Sequence, residues 1–184
     1  LYVVRRDGLA MQRLTSDDGY ETQPQWSPDG SVILFRTASD GAARANFAVI
    51  RPDGTGLRVL TAALPATMTD ISSPAWSHDG TRIAFIGAVN GQHKVWVMNA
   101  DGSGARALTR EDLRTLNNPV WHPGGEYIAA RKHYTGTRSL GSGEIWLYHV
   151  AGGKGVALNE KPNWQKDLGE PAFAPDGQIG RAHV

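Results

Sequence analysis

Short apolar stretches alternate with glycine-rich polar segments along the whole chain. Examples are SVILF (Ser31–Phe35), TRIAF (Thr81–Phe85) and EYIAA (Glu126–Ala130), and their length is that of an ordinary β-strand. The stretches are rich in β-branched and aromatic residues, and none shows the sustained period of 3.6 residues with capping signals that marks an α-helix. The pattern therefore predicts an all-β chain of short antiparallel strands.

A seven-residue phrase precedes each of these three stretches and occurs once more near the end of the chain. It recurs every 45 to 52 residues (24 to 74, 74 to 119, 119 to 171), and such a period is typical of a repeat architecture. Each phrase favours a strand that ends in a tight turn, because Asp can bond nearby backbone and Gly adopts positive φ. The four copies are PQWSPDG (Pro24–Gly30), PAWSHDG (Pro74–Gly80), PVWHPGG (Pro119–Gly125) and PAFAPDG (Pro171–Gly177).

A second pair of strands completes each repeat. Apolar segments such as Val95–Asn99 lead into a glycine turn and then into a Leu-Thr segment such as Arg106–Thr109. Four-stranded units at this period are propeller blades, so we predict a β-propeller fragment with about three complete blades and partial blades at both ends. The predicted boundaries are 1–15 for the end of a truncated blade, 16–61, 62–109 and 110–159 for the blades, and 160–178 for the start of the next.

Large aromatic residues occupy the apolar positions of the predicted strands. Because a single blade cannot bury both of its faces, we predict that these residues pack between neighbouring blades. They are Trp26, Phe35, Trp76, Phe85, Trp96, Trp121 and Trp146.

Composition narrows the classes of function. With 40% hydrophobic and 20% charged residues among 184, the chain has the composition of a globular protein. A formal net charge of +1 gives no basic field for nucleic acid, and no apolar run approaches the ~18–20 residues of a membrane span. The absence of cysteine excludes disulfides and thiolate metal ligands.

Motifs of catalytic chemistry are missing from the sequence. H-x-H, H-E-x-x-H, G-x-S-x-G and the phosphate-binding G-x-x-x-x-G-K-[ST] do not occur. The aspartates of the predicted turns are better explained by turn hydrogen bonds than by catalysis. We therefore predict no catalytic residue, no metal site and no cofactor in this chain.

The P-x-W-S-P-D-G phrase, followed by I-A-F and by the VMNADGS turn (Val97–Ser103), resembles the repeat of TolB-like (WD40-like) β-propellers. This resemblance covers nearly the whole chain, and it implies a fold more strongly than a function. Leu108–Gly153 and Gln165–Gly177 are also similar to the N-terminal propeller of bacterial amidohydrolase-family proteins. That narrower resemblance implies a parent protein in which a metal-dependent hydrolase domain, carrying a divalent metal, follows the propeller.

The resemblance implies a non-catalytic module that gates an amidohydrolase-family enzyme or binds its partner. Two alternatives remain open, which are a periplasmic TolB-type propeller that binds a protein and the gating propeller of a prolyl-oligopeptidase-like serine peptidase. The implied partner is a covalently linked catalytic domain or a periplasmic protein or peptide. The implied compartment is the periplasm or the cell exterior, and whether the parent is an enzyme stays open.

Two groups of polar residues are the candidate sites. In a four-stranded meander, the second-to-third connections and the links between blades share the face opposite the tight turns, and function concentrates in such loops. One group is expected just before each first strand, around the channel mouth, where it binds a cation, peptide or protein or only solvates the loops. It comprises Glu21, Gln23, Asp70, Ser72, Asn117, Asn118, Asp167 and Glu170.

The second group lies in the long connection Lys132–Gly143. It comprises Lys132, His133, Tyr134 and Arg138. Because the connection is longer than a hairpin requires, it is expected either to reach a partner or an anionic ligand or to be a solvated surface loop.

Three places depart from the repeat. The third phrase has His122 and Gly124 where others have Ser and Asp, which is expected to remove the Asp bonding without changing the fold. Residue 1 already lies in a strand-like stretch, so a longer parent is expected. At the other end, Ile179–Val184 resembles a translated sequencing adapter. We expect the natural sequence to end near Gln178 and residues 179–184 to carry no function.

Overall fold

The structure, a computed structural model, describes residues 1–16, 19–110, 114–134, 143–158 and 168–183. Within these ranges the chain forms β-strands and no helix, so the all-β prediction is confirmed. In chain order the strands are β1 (Tyr2–Val4), β2 (Met11–Arg13), β3 (Tyr20–Trp26), β4 (Ile33–Ala38), β5 (Asn46–Ile50), β6 (Arg58–Val59), β7 (Met68–Trp76), β8 (Arg82–Val89), β9 (Gln92–Asn99), β10 (Arg106–Ala107), β11 (Arg114–Trp121), β12 (Tyr127–Tyr134), β13 (Gly143–His149), β14 (Val156–Ala157), β15 (Leu168–Phe173) and β16 (Ile179–His183).

The strands form three four-stranded antiparallel sheets, which we call blades 1, 2 and 3. Blade 1 has the order β3-β4-β5-β6, blade 2 the order β7-β8-β9-β10, and blade 3 the order β11-β12-β13-β14. A two-stranded sheet lies at each end, β1-β2 before blade 1 and β15-β16 after blade 3. Since the order in each sheet follows the order in the chain, each blade is a simple meander, as predicted for a propeller.

The hydrophobic core lies between the blades. Between blades 1 and 2, the rings of Phe47 and Phe85 meet edge to face with centroids 5.5 Å apart. Between blades 2 and 3, Trp121 is 1% exposed, and its Nε1 donates to the Ala75 carbonyl at 3.0 Å. The predicted packing role of Phe85 and Trp121 is confirmed. Because these large apolar side chains are buried against the neighbouring blade, each blade needs a neighbour.

Trp26 differs from the prediction. Its side chain is 50% exposed, although it occupies the position that Trp121 occupies in blade 3. Trp121 packs against the complete blade that precedes it, whereas the described residues before Trp26 form only the short sheet β1-β2. The predicted inter-blade packing is therefore wrong for Trp26 in this chain, since the facing surface is small.

Hydrogen bonds of the aspartate shape the tight turns. Asp29 accepts from the Ser27 hydroxyl at 2.6 Å and from the Ser31 amide at 3.1 Å, while Gly30 takes φ +70°. The same bonds recur around Asp79. They lower the pKa of both carboxyl groups to about 2, with the largest effect from the serine hydroxyl. These aspartates serve the turn, as the sequence indicated.

The third turn keeps its shape without an aspartate. His122 Nδ1 accepts from the Gly124 amide at 3.0 Å, and the Gly125 amide donates to the His122 carbonyl at 2.8 Å. The imidazole thus provides this turn with a side-chain acceptor, although for a different amide from the one that Asp29 binds, and the expected retention of the fold is confirmed.

The buried threonine of each Leu-Thr segment closes its blade. Thr61 Oγ1 accepts from the Phe47 amide at 2.9 Å, and Thr109 Oγ1 accepts from the Val95 amide at 3.2 Å. Each bond ties the chain just after the outermost strand to the strand before it, which accounts for the recurrence of this residue at the end of the repeat.

The strand bounds define two further stretches of the chain. β8 and β9 are joined by a two-residue hairpin turn, in which Asn90 and Gly91 take positive φ, +52° and +74°. At the C-terminal end, Ile179–His183 forms a strand antiparallel to β15 even though its sequence leaves the apolar pattern. The non-native origin of residues 179–184 stays a prediction.

We expect Gly80→Ala to lower the free energy of unfolding by about 1 kcal/mol, because an alanine is strained at positive φ. Gly80 has φ +68°, and an added Cβ would meet nothing closer than a Pro28 ring carbon at 3.7 Å. The loss should thus come from the backbone alone. Gly80→Asn should lose less, since asparagine tolerates this conformation. Urea denaturation measures both, and equal losses for the two variants would contradict the turn assignment.

The turn carboxylates also predict an acid dependence of stability. A folded-state pKa of about 2 for Asp79, against the ordinary 3.8, stabilises the fold above pH 3.8. This contribution disappears as the pH falls from 3.8 towards 2. Asp79→Asn should therefore be less stable at neutral pH and should depend less on pH between 4 and 2. Thermal melts over this range test it, and parallel pH curves for the variant and the unsubstituted chain would refute it.

Candidate functional site

The first strands of the blades lie together at one edge. Each of β3, β7 and β11 is the edge strand of its sheet, and each contacts the first strand of the next blade. β11 also contacts β15, the first strand of the following sheet. In a β-propeller the first strands of the blades line the central channel, so we call this edge the channel wall.

Each of these strands carries a bulge directly before the proline of the phrase. The residue before that proline has φ +54° at Gln23, +51° at Ser73 and +49° at Asn118. A residue that precedes proline is normally extended, and positive φ is uncommon outside glycine. Strain of this kind concentrates at functional sites. The register shifts fall between Thr22 and Gln25, between Ser72 and Ala75, and between Asn117 and Val120.

The bulge residues of successive blades are hydrogen-bonded to one another. Gln23 Oε1 accepts from the Ser73 amide at 2.9 Å, and the Ser73 hydroxyl donates to Asn118 Oδ1 at 3.3 Å. Asn118 Nδ2 donates in turn to Glu170 Oε1 of β15. We call these four residues the axial chain. Since all four are partly or fully exposed, they form a continuous polar surface along the channel.

An ion pair reinforces the junction of blades 1 and 2. The Arg36 guanidinium donates to the Asp70 carboxylate at 2.9 Å and to the Ile71 carbonyl at 2.8 Å. With side chains 27% and 45% exposed, the ion pair is screened by solvent. Arg131 occupies the position of Arg36 in blade 3. Burial lowers the pKa of Arg131, and the charge of Glu170 opposes that change.

Four of the predicted channel-mouth residues take part in contacts between blades. Gln23, Asn118 and Glu170 belong to the axial chain, and Asp70 belongs to the ion pair with Arg36. Their predicted place just before the first strands is wrong. They lie inside those strands, because the strands begin several residues earlier than the apolar pattern indicated.

The other predicted mouth residues are placed differently. Glu21 is largely buried, with 9% of its side chain exposed, and accepts from the Thr15 hydroxyl at 3.0 Å. Ser72 and Asn117 lie in β7 and β11, each one residue before the bulge residue. Asp167 lies outside the described residues. A binding role for the predicted set stays a prediction.

Sequence reasoning missed Ser73 and Arg36. Ser73 has the same signal as Gln23 and Asn118, because all three directly precede the proline of the phrase. Arg36 follows the apolar run of β4 without any motif, so only the packing of blade 1 on blade 2 shows its role.

The second candidate group is mainly strand rather than loop. β12 extends to Tyr134, so Lys132, His133 and Tyr134 lie in a strand, contrary to the prediction. Lys132 is only 5% exposed, with its ammonium 3.4 Å from the centroid of the Trp146 ring, which excludes a solvated loop position. Burial lowers the pKa of His133, and nearby Arg131 lowers it further. Arg138 lies outside the described residues.

Neither a metal cluster nor a membrane-spanning helix is seen in the described ranges. Among these residues, no group of three or more His, Cys, Asp or Glu side chains could hold a metal ion. The same part of the chain contains no helix long and apolar enough to cross a bilayer.

Residues 47–143, more than half of the chain, match the family described as the Lipoprotein LpqB beta-propeller domain. The chain belongs to this family. This assignment agrees with the four-stranded blades and confirms the TolB-like propeller prediction at the level of fold.

This LpqB-family chain is similar to proteins of different kinds. The Tol-Pal system protein TolB of Anaeromyxobacter dehalogenans (strain 2CP-C) is 46% identical over 120 residues, covering 62% of this chain and 25% of that protein. The uncharacterized peptidase YuxL of Bacillus subtilis (strain 168) is 27% identical over 195 residues, covering 85% of this chain and 28% of that protein. The chain thus spans about a quarter of the length of these relatives.

A solved structure shows the same fold. The crystal structure of TolB from Acinetobacter baumannii superimposes with a TM-score of 0.73 at 18% identity, covering 100% of this chain and 42% of that one. The comparisons support TolB and peptidase propellers and do not support a special relationship to amidohydrolase-family propellers. The segment that suggested that relationship contains residues 135–142, which lie outside the described residues, whereas its described parts are ordinary blade strands.

We expect Arg36→Met to lower the free energy of unfolding by about 1 kcal/mol, because the variant loses both bonds to blade 2. In a double-mutant cycle with Asp70→Asn, the coupling energy should be about 0.5 kcal/mol and should shrink as salt is added. Arg36→Lys is the matched control, since it keeps the charge but not the two-point geometry. Urea denaturation at low and high salt measures the coupling, and a coupling of zero at low salt would contradict it.

Proposed function

We propose that this chain is a non-catalytic part of a propeller that binds a segment of another protein at the mouth of its channel, within the bacterial envelope. The observation that carries the proposal is the axial chain. Strained bulges present polar side chains at the same position of successive blades, and their bonds hold them in a fixed arrangement.

The chemistry of the axial chain suits a polypeptide. The amide side chains of Gln23 and Asn118 each offer both a donor and an acceptor, as a peptide backbone does, and Glu170 adds a carboxylate. The bulges also interrupt the exposed edges of β3, β7 and β11, which favours side-chain recognition over uncontrolled pairing of strand edges.

Relatives support a partner within the envelope. The relative with 46% identity is named as a protein of the Tol-Pal system. We propose that the chain binds a protein component of such a system, and the lipoprotein in the family's description agrees with an envelope location.

A second candidate is the gating propeller of a serine peptidase. The peptidase relative favours it, because that similarity covers 85% of the chain. In this case the channel mouth would admit a peptide to a catalytic domain elsewhere in the parent protein. The two candidates share the mouth but differ in the partner.

Photo-crosslinking with purified components separates these candidates. A benzophenone amino acid placed at Ser72 or Asn117 lies in the channel wall without replacing a member of the axial chain. One placed at Glu126, which is exposed directly after the third tight turn, is a matched control on the tight-turn face. We expect Tol-Pal proteins to crosslink from the channel positions only. The exposed substitution Glu170→Lys should weaken binding by about tenfold.

The contrary results are equally specific. Crosslinks of similar yield from both faces, or none from the channel, would refute binding at the mouth. Crosslinks from the channel to a separately supplied peptidase domain, with Tol-Pal proteins unreactive, would favour the second candidate.

A further inference from the structure

The repeat allows equivalent positions of successive blade junctions to be compared. Val32, Arg82 and Tyr127 are equivalent, because the carbonyl of each accepts from the first turn residue of its own blade at 2.9 Å. Each residue precedes or begins the second strand of its blade. The place compared below is the space over the aromatic residue of the next sheet. What fills this place differs from junction to junction.

Between blades 2 and 3 the place is filled by an arginine. The Arg82 guanidinium carbon lies 4.7 Å from the centroid of the Trp121 ring, and its Nη2 donates to the Gly125 carbonyl at 2.8 Å. The guanidinium of one blade thus stacks on the aromatic of the next and bonds its tight turn. This is a cation–π contact completed by a hydrogen bond.

Between blade 3 and β15 the place is filled by a histidine. The His122 ring lies 5.1 Å from the Phe173 ring, centroid to centroid. Its Nε2 approaches Gly177, the equivalent of Gly125, so closely that an added Cβ there would lie 2.8 Å away. A nitrogen-bearing side chain therefore again covers the aromatic and reaches the glycine of the next turn.

Between blades 1 and 2 the corresponding place is open. Val32 is too short to cover Trp76, and the atoms nearest to a Cβ on Gly80 are Pro28 ring carbons at 3.7 and 4.0 Å. A cleft of about 590 Å³ lies here, lined by Val32, Trp76 and Gly80 among others. Volumes of this size are typical of ligand sites.

The charges of the cleft favour a cation. Asp29, Asp79 and Asp101 line it, and the only guanidinium in the lining is that of Arg58. Arg58 donates to the Asp101 carbonyl at 2.9 Å, which engages it with the turn of blade 2. Hydrogen bonds lower the pKa of all three carboxyl groups, so they are ionised at neutral pH.

Trp76 differs from its equivalent in a second respect. Its Nε1 is buried and has no hydrogen-bond partner among the described residues, whereas Nε1 of Trp121 donates to a carbonyl of the preceding blade. The junction of blades 1 and 2 is therefore less complete than the next one at the same position.

We propose that this cleft binds a guanidinium group, namely the arginine side chain of a peptide or protein partner, in the place that Arg82 fills between blades 2 and 3. The cleft lies on the tight-turn face and not at the channel mouth, so the proposal does not depend on the proposed function. The contacts of Arg82 with Trp121 and Gly125 are the template for the bound state. In the cleft, the guanidinium would lie over the Trp76 ring and donate to the turn at Gly80.

An NMR titration tests the proposal. The indole N–H signal of Trp76, assigned with Trp76→Phe, is followed in the ¹⁵N-labelled chain as N-acetyl-arginine-N-methylamide is added. We expect a saturable shift, and the uncharged isostere N-acetyl-citrulline-N-methylamide should bind at least about tenfold more weakly. Because the proposed occupant is an arginine within a polypeptide, a Gly-Arg-Gly peptide should bind at least as tightly as the free amino acid arginine. The absence of a saturable shift, an equal response to citrulline, or preference for free arginine would overturn the proposal.

Val32→Arg should abolish this binding and raise the melting temperature, because the chain then supplies its own guanidinium. Tyr127→Arg is the matched control, since the same substitution at the equivalent position of blade 3 leaves the cleft unchanged and should leave binding unchanged. If Val32→Arg does not fold, Arg82→Val should instead open a second site, reported by the indole signal of Trp121. Undiminished binding in a folded Val32→Arg, or no second site in Arg82→Val, would overturn the proposal.

Discussion

A four-stranded blade cannot bury both of its faces, and this constraint organises the whole chain. The core residues accordingly meet across junctions, as Phe47 meets Phe85 and as Trp121 meets blade 2. Packing face against face brings the first strands together at the axis. The polar contacts of those strands then become possible, so the axial chain is a consequence of the apolar packing around it.

Each junction combines an invariable element with a variable one. The invariable elements are the aromatic residue, the tight turn and the bulge before the proline, which set the spacing of the blades. The variable element is the cover of the aromatic, which is an arginine at one junction and a histidine at another, whereas at the third junction Val32 leaves the aromatic beside an open cleft. One repeat can thus build a closed junction or an open cleft through a single substitution.

The sequence predicts those parts of the fold that depend on local chemistry. The turns around Asp29 and Asp79 follow from residue type and spacing, and the blades follow from the period of the phrase. It fails where a distant blade decides the outcome. Trp26 is exposed because only the short sheet β1-β2 precedes its blade among the described residues. Lys132 is buried because β12 extends past it and its ammonium packs on the Trp146 ring. The bulge at Ser73 is local, but its partners are 45 and 50 residues away along the chain.

The central claim is that the bulge residues join the blades at the axis, and amide hydrogen exchange at Ser73 tests it most directly. The Ser73 amide donates to Gln23 Oε1 of the neighbouring blade at 2.9 Å. In Gln23→Ala this amide should therefore exchange faster. The Ser77 amide, which bonds the Arg82 carbonyl within blade 2, should keep its protection. An unchanged exchange rate at Ser73 in Gln23→Ala would contradict the account.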